Sequence, residues 1–204
     1  MKLHSSEHHY DHPWSAITAA VWQKYPNHLT PHVISVDVLS RHVDQATQTL
    51  RTERLLTIRQ SIPTFILRLF NMSEPLSHVL EVSEINLATQ TCRAVSTNLT
   101  CREFMTMDET VTYRPDPADR EGRTVMVQEA QVSSSVSRFS SYCEDLLINR
   151  FRENAKVGRD AMREVVERIV AEVEFGVEKL GVELGVGAMC EGEGAVAASK
   201  APGK

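Results

Sequence analysis

No stretch of the chain approaches the roughly 18 consecutive apolar residues that a transmembrane helix needs. Its opening, Met1-Lys2-Leu3 running into His4, Ser5 and Ser6, also lacks the apolar region of a signal peptide. These two gaps predict a chain that neither spans a membrane nor enters the secretory pathway. Cysteine is sparse: Cys92, Cys101, Cys143 and Cys190 are scattered and form no Cys-x-x-Cys pair for zinc or thioredoxin chemistry. They read as ordinary buried or free thiols. The 204 residues include only 9 glycines and 8 prolines, with 42% apolar and 24% charged residues, a composition that disfavours collagen-like, coiled-coil and wholly disordered chains. An excess of positive charge is missing too. Against 22 basic residues stand 27 acidic ones, a formal charge of -5, so no nucleic-acid partner is expected and any basic site must be local.

What is present is pattern. Asp11-His12-Pro13-Trp14 supplies a helix start, and Trp14, Ile17, Ala20 and Val21 recur at helical spacing until Tyr25-Pro26-Asn27 stops them. From His32 the period becomes two, and strands are predicted at 32–43, 50–59, 77–86, 91–100, 104–113 and 124–134. Arg114-Pro115-Asp116-Pro117 is expected to leave the ladder, because proline has no N–H to donate, and to open a loop reaching Gly122. After Ser135 the helical period returns: Leu147, Phe151, Ala155, Gly158, Met162 and Val165 line one stripe of a helix some thirty residues long. Beyond Leu180, glycine and small residues leave little to bury, so the reading is a domain over 1–180 with a disordered tail over 181–204. A short strand, a helix, six strands and a long helix make an α+β fold, one curved antiparallel sheet with helices on one face around a concave apolar interior.

The histidines at 4, 8, 9 and 12 invite a metal reading, but on a strand His8 and His9 point to opposite faces. With no His-Glu-x-x-His helix or cysteine partners, a solvated edge strand is the expectation, and no metal or other cofactor is predicted. Ser133-Ser134-Ser135 lies outside any nucleophile elbow, and the adjacent carboxylates Asp108-Glu109 and Glu144-Asp145 point apart, so no catalytic set assembles and no enzyme is expected. Basic residues are more suggestive. Arg150 and Lys156 lie in the first half of the long helix with Arg152, Arg159 and Arg163, and Asn154 sits beside its apolar stripe. Lys24, His32, Arg54 and Arg59 could add donors, and a phosphate suits such groups. The segment from Ile62 to Met72 is too apolar for a surface loop. Pro63 and Pro75 bracket Phe65, Ile66, Leu67, Leu69 and Phe70. Two readings stand: a lid over 62–75 that opens at a bilayer, with Arg68 meeting anionic headgroups, or a permanently packed core helix.

Several stretches, taken in order, resemble the PRELI domain family and particularly its slowmo branch. They are Ser-Glu-His-x-Tyr-Asp-His-Pro-Trp at 6–14, Gln23-Lys24-Tyr25-Pro26-Asn27, Val36-Asp37-Val38-Leu39, Thr52-Glu53-Arg54-Leu55-Leu56, Tyr113-x-Pro-x-Pro, Gln128-Glu129-Ala130, and Asn154-Ala155 with Gly158-Arg159. The resemblance spans about 1–175. It implies a curved seven-stranded antiparallel sheet and a long C-terminal helix enclosing a lipid pocket. It also implies a carrier of phosphatidylserine, or of phosphatidic acid in a sister branch, in the mitochondrial intermembrane space and peripheral to the inner membrane. Such proteins touch anionic membranes transiently and pair one-to-one with a small helical protein carrying twin Cys-x9-Cys motifs. The family's headgroup contacts fall on Lys24, His32, the basic end of the second hairpin strand and the start of the last helix. Where the family often has lysine before the helix glycine, this chain has Val157, with Lys156 about 100° away around the helix. A lipid or hydrophobic-ligand sensor that binds without transfer is the alternative.

Overall fold

The computed structural model describes residues 1–60, 67–68, 74–136 and 139–183, with side chains as far as Val177. Pro63, Phe65, Ile66, Leu69 and Phe70 of the expected lid, and the tail from residue 184, lie outside the described residues. Strand β1 (Lys2–Tyr10) leads into helix α1 (Trp14–Gln23). Six strands follow: β2 (Val33–Asp44), β3 (Thr49–Arg59), β4 (Leu76–Asn86), β5 (Thr91–Asn98), β6 (Met105–Asp116) and β7 (Asp119–Ser134). Helix α2 (Ser140–Glu183) ends the described chain. All seven strands join one antiparallel sheet in the order β1-β7-β6-β5-β4-β3-β2, so β2 to β7 meander and β1 closes onto β7.

Local chemistry sets the turns. Pro13 caps α1 with an extended backbone, and its carbonyl accepts from the amides of Ala16 and Ile17 at 3.0 and 3.2 Å. Asp44 folds the β2–β3 turn by accepting from the Ala46 amide at 2.9 Å and the Thr47 hydroxyl at 2.8 Å. Asp116 does the same for the β6–β7 turn through the Ala118 amide at 2.9 Å. That turn is tighter than the sequence suggests. Pro115 stays in register opposite Thr124, with a bulge after it, instead of opening a loop to Gly122. The last pair between β5 and β6 is Cys92 with Tyr113, so Pro115 lies beyond the end of β5, where a missing N–H breaks no ladder on that side.

Helices α1 and α2 lie on one face of the sheet. Helix α2 packs on α1, β1, β6 and β7. Ile17, Met162, Val165 and Val166 are essentially inaccessible and pack with Trp14, Tyr10, Tyr113, Met126, Ile85 and Cys92. Nearer the start of α2, Ile148, Phe151 and Ala155 pack on Ala130 and Val132 of β7. Strand β1 is an edge strand, but only its outward residues are solvated. Its inward face lies under α2, where His4 meets Phe151 edge-on with ring centroids 5.5 Å apart and His8 meets Tyr10 at 4.7 Å. Helix α2 has 44 residues, well beyond the thirty or so expected, and at the usual helical rise it is about 66 Å long. Gly176 and Gly181 do not stop it, since a glycine weakens a helix by only about 1 kcal/mol where no proline follows. Past Val170 it outruns the sheet, leaving Val173, Phe175 and Val177 exposed.

Candidate functional site

Where α2 lies on β1 and β7 the core is closed; across the inner faces of β3 to β6 it is not. A cavity of about 370 Å³ separates the first half of α2 from the strands, within the size range of small-molecule sites. Strand alternation builds its wall. Met105, Met107, Val111 and Tyr113 face it from β6, Ala94 and Ser96 from β5, Val79 from β4, and Leu56 and Ile58 from β3. Leu146, Leu147, Phe151, Ala155 and Gly158 face it from α2. Most of this wall is apolar, and a few charged groups interrupt it.

Lys24 follows the last residue of α1, and its side chain runs under α2. Its Nζ lies 3.2 Å from the point where a Cβ on Gly158 would stand, so the absence of a side chain there admits the ammonium. Nζ also sits 5.3 Å from the centre of the Tyr25 ring. Burial works against the ammonium, but Tyr25 and the carboxylates of Glu109 and Glu81 outweigh it, leaving the Lys24 pKa above its usual value. His32 enters the wall from the start of β2. Burial, and then the neighbouring Lys24 charge, push its imidazole below the ordinary value of 6.5.

Glu109 faces inward from β6, between Met107 and Val111. Gln128 of β7 donates from Nε2 to its Oε1 at 2.6 Å, and Arg159 of α2 donates from Nη1 to Gln128 Oε1 at 3.5 Å. Burial pushes the Glu109 carboxyl above its usual value against the pull of Gln128 and Lys24, with Glu81 adding to the rise. Glu81 itself is engaged. Arg54 donates to its Oε1 from Nε at 2.9 Å and also from Nη2, while the guanidinium lies 5.0 Å from the Trp22 ring centre.

Of the residues picked out from sequence, Lys24, His32, Arg59, Arg150 and Asn154 all line the cavity. Arg59, Arg150 and Asn154 are exposed, so Asn154 stands at the rim and is not the buried amide its place beside the stripe suggested. Arg54 and Lys156 do not reach the wall. Arg54 is 5% exposed and turned onto Glu81 and Trp22, and Lys156 is rotated off the cavity-facing side of α2 into solvent. Arg159, four residues after Ala155, takes the place on the wall that Lys156 does not. Glu81, Glu109, Gln128 and Arg159 line the cavity without being singled out by sequence, though the period of two carries the signal: Glu109 is the charged member of an inward series of Met105, Met107, Val111 and Tyr113. Of the expected lid, Leu67 is half-buried. At the borders of the segment, Arg59 and Gln60 line the cavity wall and the Gln60 amide bonds the Pro75 carbonyl at 2.8 Å.

Comparison with known proteins places this geometry among relatives. The model of the PRELI-like family matches residues 15–172. "Protein UPS2, mitochondrial" of Saccharomyces cerevisiae is 37% identical over 186 residues, covering 90% of this chain and 80% of that protein. "Protein slowmo homolog" of Dictyostelium discoideum is 29% identical over 168 residues, covering 82% of this chain and 72% of its own. Among solved structures, TTHA0849 from Thermus thermophilus matches with a TM-score of 0.57 at 14% identity, over 82% of this chain and 99% of that one, a likeness of fold.

Proposed function

This chain belongs to the PRELI-like family, and from that membership and its cavity we propose that it is a phospholipid transfer protein, not an enzyme. The observation that carries the reading is the mostly apolar cavity between sheet and helix with the half-buried Lys24 in its wall. Moving two acyl chains of about 30 methylenes through water at roughly 0.8 kcal/mol each would cost on the order of 20 kcal/mol without a second apolar site. A protein cavity supplies that site, and no bond need break. Lys24 takes the phosphate, His32 and Arg159 border the same space, and the exposed Arg59 and Arg150 at the rim meet the anionic surface from which the lipid is drawn. The apolar segment 62–75 is the proposed gate, since Arg59 and Gln60, which precede it, line the cavity.

Phosphatidylserine is the proposed cargo, as for the branch this chain resembles. The mitochondrial description of the yeast relative supports placing it in that organelle, and we assign it to the intermembrane space, peripheral to the inner membrane. A one-to-one complex with a small twin Cys-x9-Cys protein belongs to the same reading. The test is transfer of fluorescent phospholipid between two vesicle populations. The protein should move lipid catalytically, and Lys24→Ala should slow it by about tenfold or more, the worth of one charge-assisted hydrogen bond of roughly 1.5–3 kcal/mol. Binding without movement would favour the sensor reading, and altered lipid products would favour an enzyme.

A further inference from the structure

The charges inside the cavity are of both signs. Lys24 and Arg159 are cations on its wall and Glu109 is an anion, and neither Lys24 nor Glu109 forms an ion pair within 4 Å among the described residues. The other internal carboxylate, Glu81, is already held by Arg54. Gln128 occupies one oxygen of Glu109 with a neutral amide and is steadied in turn by Arg159. An isolated phosphate would gain from Lys24 and be repelled by Glu109. A headgroup carrying both a phosphate and a primary ammonium would satisfy both.

We propose that Glu109 is the headgroup-selecting residue, accepting the primary ammonium of an aminophospholipid while Lys24 holds its phosphate. This rests on the phospholipid reading of the cavity. A carboxylate on a cavity wall without a cationic partner is costly, and an ammonium guest reduces that cost by pairing with it. Burial raises the Glu109 pKa despite the pull of Gln128 and Lys24, as fits a carboxylate whose charge the surrounding groups only partly compensate. Discrimination then follows from what a wrong guest leaves unpaired. Phosphatidic acid leaves Glu109 without its partner, whereas serine and ethanolamine headgroups supply it. Gln128 plays a different part, because its amide nitrogen donates to Glu109 and its carbonyl oxygen accepts from Arg159.

The experiment compares transfer of phosphatidylethanolamine, its N-acetylated derivative, phosphatidylserine and phosphatidic acid between vesicles, for the protein and for Glu109→Gln. In the unaltered protein, N-acetylation should cut transfer of phosphatidylethanolamine by about tenfold, the value of one hydrogen-bonded charge pair of roughly 1.4 kcal/mol. Glu109→Gln keeps an acceptor for Gln128 but loses the charge. It should slow both amine-bearing lipids by a similar factor while leaving phosphatidic acid unchanged or faster. Equal rates for the amine and its N-acetyl derivative in the unaltered protein would overturn the assignment without any variant, and so would a Glu109→Gln effect that is the same for all four lipids. No movement of any phospholipid by the unaltered protein would overturn the transfer reading itself.

Discussion

Gly158 brings the backbone of α2 against Lys24 in the charged part of the cavity. A Cβ at 158 would stand 3.2 Å from Nζ and 3.9 Å from Cε of Lys24, so alanine asks the flexible lysine to shift by a few tenths of an ångström. Alanine also gains up to about 1 kcal/mol in helix propensity, and Gly158→Ala should leave the fold slightly more stable with transfer little changed. Valine at this position adds two methyl groups, which meet the lysine end where no small shift clears them. Gly158→Val should therefore reduce vesicle-to-vesicle transfer about as much as Lys24→Ala does, with an unchanged circular dichroism spectrum. Normal transfer by Gly158→Val would mean that the ammonium's place under the helix is not needed. The pairing of Gly158 with Lys24 is invisible in sequence, since the two are 134 positions apart and only the packing of α1 on α2 joins them. Glu109 is different. Its inward position is readable from the alternation of β6, but a comparison with its neighbour Asp108 alone hides it.

At the scale of elements, α2 does two jobs along its length. Its first half, through Leu147, Phe151, Ala155 and Gly158, roofs the cavity, and its next turns, through Met162, Val165 and Val166, close the core over α1 and β6. Met162 is 1% exposed and does not line the cavity. Met162→Ala should cost about 2–5 kcal/mol of stability as a core truncation, a fall in thermal midpoint on the order of 10 °C for a domain of this size. Below its midpoint the variant should still transfer lipid at close to the normal rate, and a rate lost in step with stability would show that the two halves of α2 are not separable. The strands and both helices were legible because period two and period 3.6 each persist over several turns or pleats. The end of α2 was not, because glycine lowers helix propensity without forbidding helix. Pro115 misled for a related reason: whether its missing N–H matters depends on how far β5 extends, which is a property of the assembled sheet.

The described molecule is one curved sheet with helices on a single face and a cavity between sheet and helix. Packed contact with β1, β7 and part of β6 holds α2 in place, and over the inner faces of β3 to β6 the described residues leave a cavity. Composition and period predicted a container, and the order of motifs predicted its family. What neither could show is how the polar groups divide. Arg54 is spent on Glu81 and Trp22, Lys156 points to solvent, and Lys24 with Glu109 face the space. That division depends on which side of each strand and helix turns inward, a choice fixed only when the layers meet.

The claim on which the rest depends is that this gap holds one phospholipid. Ser96 lies on the inner face of β5 and lines the cavity, so Ser96→Trp would fill part of it with an indole and leave Lys24 and Glu109 in place. The most direct measurement is native mass spectrometry of the protein re-isolated after incubation with vesicles that contain phosphatidylserine. The unaltered chain should carry the mass of one phospholipid, and Ser96→Trp, folded by circular dichroism, should carry little or none. A chain that returns without lipid, or a Ser96→Trp variant that returns with as much lipid as the original, would contradict the account.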